Sequence, residues 1–128
     1  MKKGFFVVNV LDGPYYDDCC ITGSINIPLS DMGNILAMID KSSEIVVYCA
    51  SYKCTASVDA RKKLLAMGYD KVYLYEGGMV EWLQRGFPVA GACSKDYLKE
   101  VVEKPDRKKE QYELTAVELK EKMDAQKK

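Results

Sequence analysis

The chain contains no histidine among its 128 residues. That absence excludes Cys-His and Ser-His catalysis and histidine-bearing zinc sites, leaving only thiolates and carboxylates as metal ligands. Net charge is also lacking: 19 Lys and Arg balance 19 Asp and Glu. No overall field draws in nucleic acid or an anionic membrane, so neither is expected as a partner. No apolar run approaches the roughly 18 residues needed to span a bilayer. The opening Met-Lys-Lys-Gly-Phe-Phe-Val-Val-Asn-Val lacks the apolar region and small-residue cleavage site of a secretory signal. A cytoplasmic location is expected. Paired Cys-x-x-Cys knuckles are missing as well, and the cysteines, at 19, 20, 49, 54 and 93, form an odd set. In a cytoplasmic chain they are expected to be thiols rather than a disulfide framework, with no metal site and no cofactor.

What is present suits one domain, 1–128, with a real core: 48% of residues are hydrophobic and 30% charged. Residues 5–10 are nearly all apolar and β-branched, as in a strand covered on both faces, and Asp12-Gly13-Pro14 breaks them. Tyr15 to Asp18 allow one helical turn, and a short extended piece runs over 24–27. Ser30 is placed to cap a helix whose Met32, Ile35, Leu36 and Ile39 share one face. Residues 45–48 form a second buried strand. Thr55 or Ser57 opens a helix striped by Ala56, Ala60, Leu64 and Met67, and Gly68 fits its end. A third strand spans 72–75, and a short helix over 79–85 packs Trp82. Strands alternating with helices predict a parallel α/β sheet.

The most informative stretch is 45–55, where an apolar strand stops at Cys49 and a helical pattern resumes at Thr55. A strand, tight loop and helix start direct several backbone N–H groups at one volume, a nest that binds anions and stabilises thiolate. The crevice beyond the carboxyl ends of parallel strands is the usual ligand site. Taken alone, the same residue also fits a small core cysteine at a strand end.

Further landmarks add to this reading. Gly23-Ser24-Ile25-Asn26-Ile27-Pro28-Leu29, the strand into Cys49, Leu65-Ala66-Met67-Gly68-Tyr69-Asp70-Lys71-Val72-Tyr73, Glu76-Gly77-Gly78, Trp82 and Gly86-Phe87-Pro88-Val89 follow in order. In order and spacing they resemble a rhodanese-homology domain covering about 5–89. The resemblance implies a rhodanese-like parallel sheet of about five strands flanked by helices on both faces. It also implies a sulfurtransferase in which Cys49 takes sulfane sulfur as a persulfide and passes it to a thiol acceptor. The substrate-binding loop is then Ala50, Ser51, Tyr52, Lys53, Cys54 and Thr55, whose amides form the cradle.

Departures from the family refine the expectation. Ala50 and Cys54 stand where many members carry basic residues, and Tyr52 replaces a glycine. Asn9-Val10-Leu11 replaces Asp-x-Arg, and Cys19-Cys20 replaces Gly-His. With Lys53 the loop's only cation, the expected donor is a small polysulfide or persulfide rather than thiosulfate, and the acceptor a thiol, a partner protein's included. The related phosphatases and arsenate reductases use a longer loop ending in arginine, so phosphatase activity is not expected. Cys54 is a candidate resolving thiol: by attacking an adduct on Cys49 it would make the chain a thiol-disulfide or persulfide-reducing protein. A non-catalytic rhodanese-like interaction module is the third alternative. Tyr52 is either a lid or a loop anchor. Of the adjacent Cys19 and Cys20, one is expected to be packed and the other exposed or near the site mouth, and Cys93 is expected to be a surface or tail thiol.

Beyond the family core, 1–93, the chain becomes densely charged. Residues 95–103 are expected to form an amphipathic helix using Tyr97, Leu98, Val101 and Val102, ended by Pro105, within a helix-and-linker segment 94–111. In 112–128, Thr115 and Glu118 form a capping box, and Ala116, Leu119 and Met123 a buried stripe. This strand and helix resemble the family's opening element, missing before residue 5. Circular permutation is therefore expected, with segment exchange between chains or a truncated second repeat as alternatives.

Overall fold

The computed structural model describes residues 4–126, the Leu36 side chain excepted. Leu36's place in the expected helical stripe therefore lies outside the described residues, as do Met1 to Lys3, Lys127 and Lys128. Strand β1 (Phe5–Asn9) leads into helix α1 (Gly13–Asp18), and β2 (Cys20–Ile21) and β3 (Ile25–Asn26) follow. After a 3₁₀ segment (Leu29–Ala37) come β4 (Glu44–Tyr48), α2 (Ala56–Ala66), β5 (Val72–Tyr75) and α3 (Gly78–Gln84). The short β6 (Val89–Ala90), a 3₁₀ turn (Asp96–Lys99) and α4 (Ala116–Gln126) complete the chain.

The main sheet has the order β3-β1-β4-β5, every pair parallel, so β1 and β4 are its interior strands. Beyond β5 one parallel bridge joins Leu74 to Glu113; Leu74 donates to the Tyr112 carbonyl at 3.0 Å and accepts from Leu114 at 2.8 Å. The expected fifth strand is this single bridge. Apart from it, β2 and β6 pair antiparallel.

Alternation along the strands divides the core into two layers. Val8, Ile45, Val47 and Leu74 point to one face, where they pack with Met32 and Ile35 of the 3₁₀ segment and Ala60 and Leu64 of α2. Val7, Val46, Tyr48 and Tyr75 point to the other, with Met79 and Trp82 of α3, Leu98, and Ala116 and Leu119 of α4. Because both faces are covered, these strands read as unbroken apolar runs.

Four expectations are corrected. The 29–37 segment is 3₁₀ rather than α, although Met32, Ile35 and Ile39 are buried as its spacing predicts. Residues 95–103 hold only the turn Asp96–Lys99: Leu98 is buried, but Val101 is 76% exposed and has no apolar surface to hold a longer helix. Cys93 is not a free thiol; it is disulfide-bonded to Cys19, their Cα atoms 4.5 Å apart, so the cysteines are not all thiols. The β2–β6 pairing and the bond from the Cys93 amide to the Asp18 carbonyl, 2.7 Å, bring these residues together across 74 positions. Cys19 and Cys20 are both buried, so neither is the exposed member of the pair.

The capping box forms as its spacing predicts. The Glu118 amide donates to Thr115 Oγ1 at 3.1 Å and the Thr115 amide to Glu118 Oε1 at 2.8 Å. None of the helices is long and apolar enough to cross a membrane, among the described residues.

Candidate active site

Strand β4 ends at Tyr48, and Cys49, fully buried, is the first residue beyond it. The loop 50–54 then turns into α2, so the thiol lies at the carboxyl end of an interior parallel strand. The opening of α3 locks the start of the loop. Met79 donates to the Cys49 carbonyl at 3.0 Å and Val80 to the Ala50 carbonyl at 2.9 Å. Gly78, at φ +62°, permits this approach: a Cβ there would run into the Cys49 carbonyl oxygen and lie 2.7 Å from the Ala50 carbonyl carbon.

Two further residues hold the loop. Tyr52 donates from its hydroxyl to Glu81 Oε2 at 2.9 Å, while Tyr75 donates to Oε1 of the same carboxylate, also at 2.9 Å. Tyr52 is thus an anchor, tying the loop to α3. Glu81 is buried, and its two phenol donors offset part of its desolvation. Burial, then the Glu81 carboxylate, raises both phenol pKa values. Lys53 points outward to Glu103, 3.5 Å away, with both side chains more than 60% exposed. At the end of β1, Asn9 Oδ1 accepts the Leu11 amide, and Asn26 Nδ2 donates to the carbonyls of Asn9 and Leu11.

The thiols form a pair. Cys49 Sγ donates to Ser57 Oγ at 3.2 Å and approaches the Cys54 carbonyl at 3.6 Å. Its hydrogen bond to Cys54, then burial, pushes the Cys49 thiol well above the ordinary range. That same bond, with the amides of Ala50 and Ala56, holds Cys54 at about 6 against the opposing effect of burial. The backbone cradle expected to lower Cys49 therefore acts on Cys54: the reduced pair keeps its proton on Cys49 and its negative charge on Cys54. Among the described residues no cluster of three or more metal-binding side chains occurs.

Of the predicted loop residues, Ala50, Cys54 and Tyr52 act on the thiols or hold the loop, whereas Lys53 faces solvent and Thr55 starts α2 without a side-chain cap. Sequence reasoning did not assign site roles to Ser57 and Glu81. A serine on the inward stripe of α2 and a lone acid inside the apolar run 79–83 were the available signals.

A parallel α/β sheet thus carries a buried thiol one residue beyond an interior strand, followed by a tight loop and a helix. A family model described as Rhodanese-like domain matches residues 2–85, and the chain belongs to that family. The chain is 28% identical over 80 residues to the thiosulfate sulfurtransferase GlpE of Shewanella oneidensis, covering 62% of this chain and 77% of that one. It is 32% identical over 83 residues to the HTH-type transcriptional regulator Rv0324 of Mycobacterium tuberculosis, covering 65% of this chain but only 36% of the regulator. Among solved structures, the BH2092 protein of Bacillus halodurans superposes with a TM-score of 0.63 at 26% identity, over 70% of this chain and 65% of that one. An E. coli rhodanese with anions gives 0.55 at 27% identity, over 68% and 98%.

Proposed function

We propose that the chain is a sulfurtransferase that carries sulfane sulfur as a persulfide on Cys49 and delivers it to a thiol acceptor in the cytoplasm. The observation that carries this reading is the buried Cys49 thiol, set against Cys54 in a tight loop at the carboxyl end of β4 in a rhodanese-like sheet. The relatives named as thiosulfate sulfurtransferases support it. The donor is a small polysulfide or persulfide. Lys53 is the loop's only cation and is paired with Glu103, which leaves little fixed positive charge for a thiosulfate dianion.

Incubating the reduced protein separately with polysulfide, thiosulfate and glutathione persulfide, then measuring intact mass, tests the reading. The expected product with polysulfide or glutathione persulfide gains one sulfur atom and loses it to added thiol. A wild type that gains no sulfur from any donor refutes transfer and leaves a non-catalytic module. The approach of Cys49 Sγ to the Cys54 carbonyl at 3.6 Å, with both thiols free, favours a second reading, a thiol-disulfide or persulfide-reducing protein; its signature is loss of two hydrogens with release of sulfide.

We also propose that the tail is the family's opening element, circularly permuted to the other end. Support comes from the Glu113 bridge at the free edge of β5, the capping box and the burial of Ala116 and Leu119 against β1 and β4 residues. A variant with 112–126 moved ahead of residue 1 through a short linker is expected to fold cooperatively with the same sheet; failure to fold would refute the permutation.

A further inference from the structure

Cys49 is fully buried, whereas Cys54 is only partly so. A sulfur donor larger than a few atoms therefore meets Cys54 first. The Ala50 and Ala56 amides are hydrogen-bonded to the Cys54 sulfur, so the thiol that is reachable is also the one supported as an anion.

We propose that sulfur enters this site on Cys54 and passes inward to Cys49. The proposal rests on the sulfur-transfer reading above. In the first step the Cys54 thiolate attacks the outer sulfur of a persulfide, RS–SH. A Cys54–S–SH bond forms, the R–S to sulfur bond breaks, and RS⁻ leaves with the electron pair. Cys54 no longer carries the charge that held the proton on Cys49, and that proton passes through solvent to RS⁻, giving RSH. The Cys49 thiolate then attacks the outer sulfur of Cys54–S–SH, forming Cys49–S–SH and returning the electron pair to Cys54. A thiol of low pKa is a good leaving group, so the anion support that makes Cys54 charged also favours this second step. Nothing is oxidised or reduced overall: one sulfane sulfur moves from RSSH to Cys49.

The test uses the reduced full chain with glutathione persulfide, quenched at short times by alkylation, with the sulfur located by peptide mass spectrometry. Urea midpoints establish that each variant is folded. Cys49→Ser is expected to take up sulfur at the wild-type rate and retain it on Cys54. Cys54→Ser is expected to load Cys49 at least about tenfold more slowly, because the remaining thiol is buried and protonated. Loading of Cys54→Ser at the wild-type rate would overturn the relay while leaving transfer through Cys49 intact. A Cys49→Ser variant that takes up nothing would do the same. Wild-type protein that forms a Cys49–Cys54 disulfide and releases sulfide would overturn inward transfer, and no uptake by the wild type would remove the sulfur-transfer reading itself.

Discussion

Substituting Gly78 by alanine probes how tightly the loop after Cys49 is bound to the fold. Two costs add at this position. At φ +62° any residue with a Cβ pays the left-handed penalty of about 1–2 kcal/mol. The Cβ would also collide with the backbone of Cys49 and Ala50, atoms that cannot swing aside as a side chain does. Relieving that collision moves the loop off α3 and weakens the bonds from Met79 to Cys49 and from Val80 to Ala50, worth about 1 kcal/mol each. The expected destabilisation of Gly78→Ala is therefore about 3–4 kcal/mol. Gly86 is the control: at φ +76° it carries the same conformational penalty, but a Cβ there meets nothing within 4 Å. Gly86→Ala should cost only about 1–2 kcal/mol. Urea unfolding monitored through the single Trp82 measures both, with stability taken as the product of midpoint and slope. Equal losses in the two variants, within about 0.5 kcal/mol, would refute the claim that the Gly78 contact holds the loop.

Three further outcomes follow from the geometry. Alkylation of the reduced protein by iodoacetamide should modify Cys54 before Cys49 and be half-maximal near pH 6; a midpoint near the ordinary thiol value of about 8.5, or earlier labelling of Cys49, would contradict the charge assignment. Leu119→Ala, in the fully buried stripe of α4, should cost about 3 kcal/mol by urea unfolding, whereas Val117→Ala on the same helix, 46% exposed, should cost less than about 0.5. Equal small effects would show that α4 is not part of the core. Burial opposes ionisation of Glu113, but hydrogen bonds from Arg107 (2.7 and 3.1 Å), with others from Glu76 and the Glu110 amide, bring its carboxyl down to about 2. A depressed carboxylate stabilises the fold above its unfolded pKa, and that contribution is lost as pH falls from about 4.3 toward 2. Glu76, raised by burial and by Glu113, works in the opposite sense at higher pH, and Arg107 is 44% exposed, so solvent screens much of the contribution. Arg107→Ala should therefore lower the urea midpoint at pH 6 and leave it unchanged near pH 2; a pH-independent difference would refute the linkage.

The four strands of the main sheet, α2, α3 and the capping box were legible because each rests on local chemistry. Apolar runs at 5–8 and 45–48 require cover on both faces, and Thr115 and Glu118 satisfy each other across three residues whatever surrounds them. Local pattern misled at 95–103, where Val101 and Val102 complete a helical spacing. A spacing forms a helix only if its apolar stripe has a surface to cover; Leu98 and part of Tyr97 reach the core, but Val101 is exposed.

From sequence alone came a cysteine beyond a buried strand, a loop without arginine, a chain without histidine and the ordered landmarks of a rhodanese-like domain. These follow from residue identity and near neighbours along the chain. Tertiary structure decided which thiols meet: Cys19 with Cys93 through the pairing of β2 and β6, and Cys49 with Cys54 through the turn of the loop. It also decided that the bond from Cys49 and the loop amides lower Cys54 rather than Cys49, and that Glu81 and Ser57 touch the loop and the buried thiol. Hydrogen bonding, burial and electrostatic influence act through space over a few ångströms, and no spacing along the chain encodes such distances until the sheet has brought its strands together.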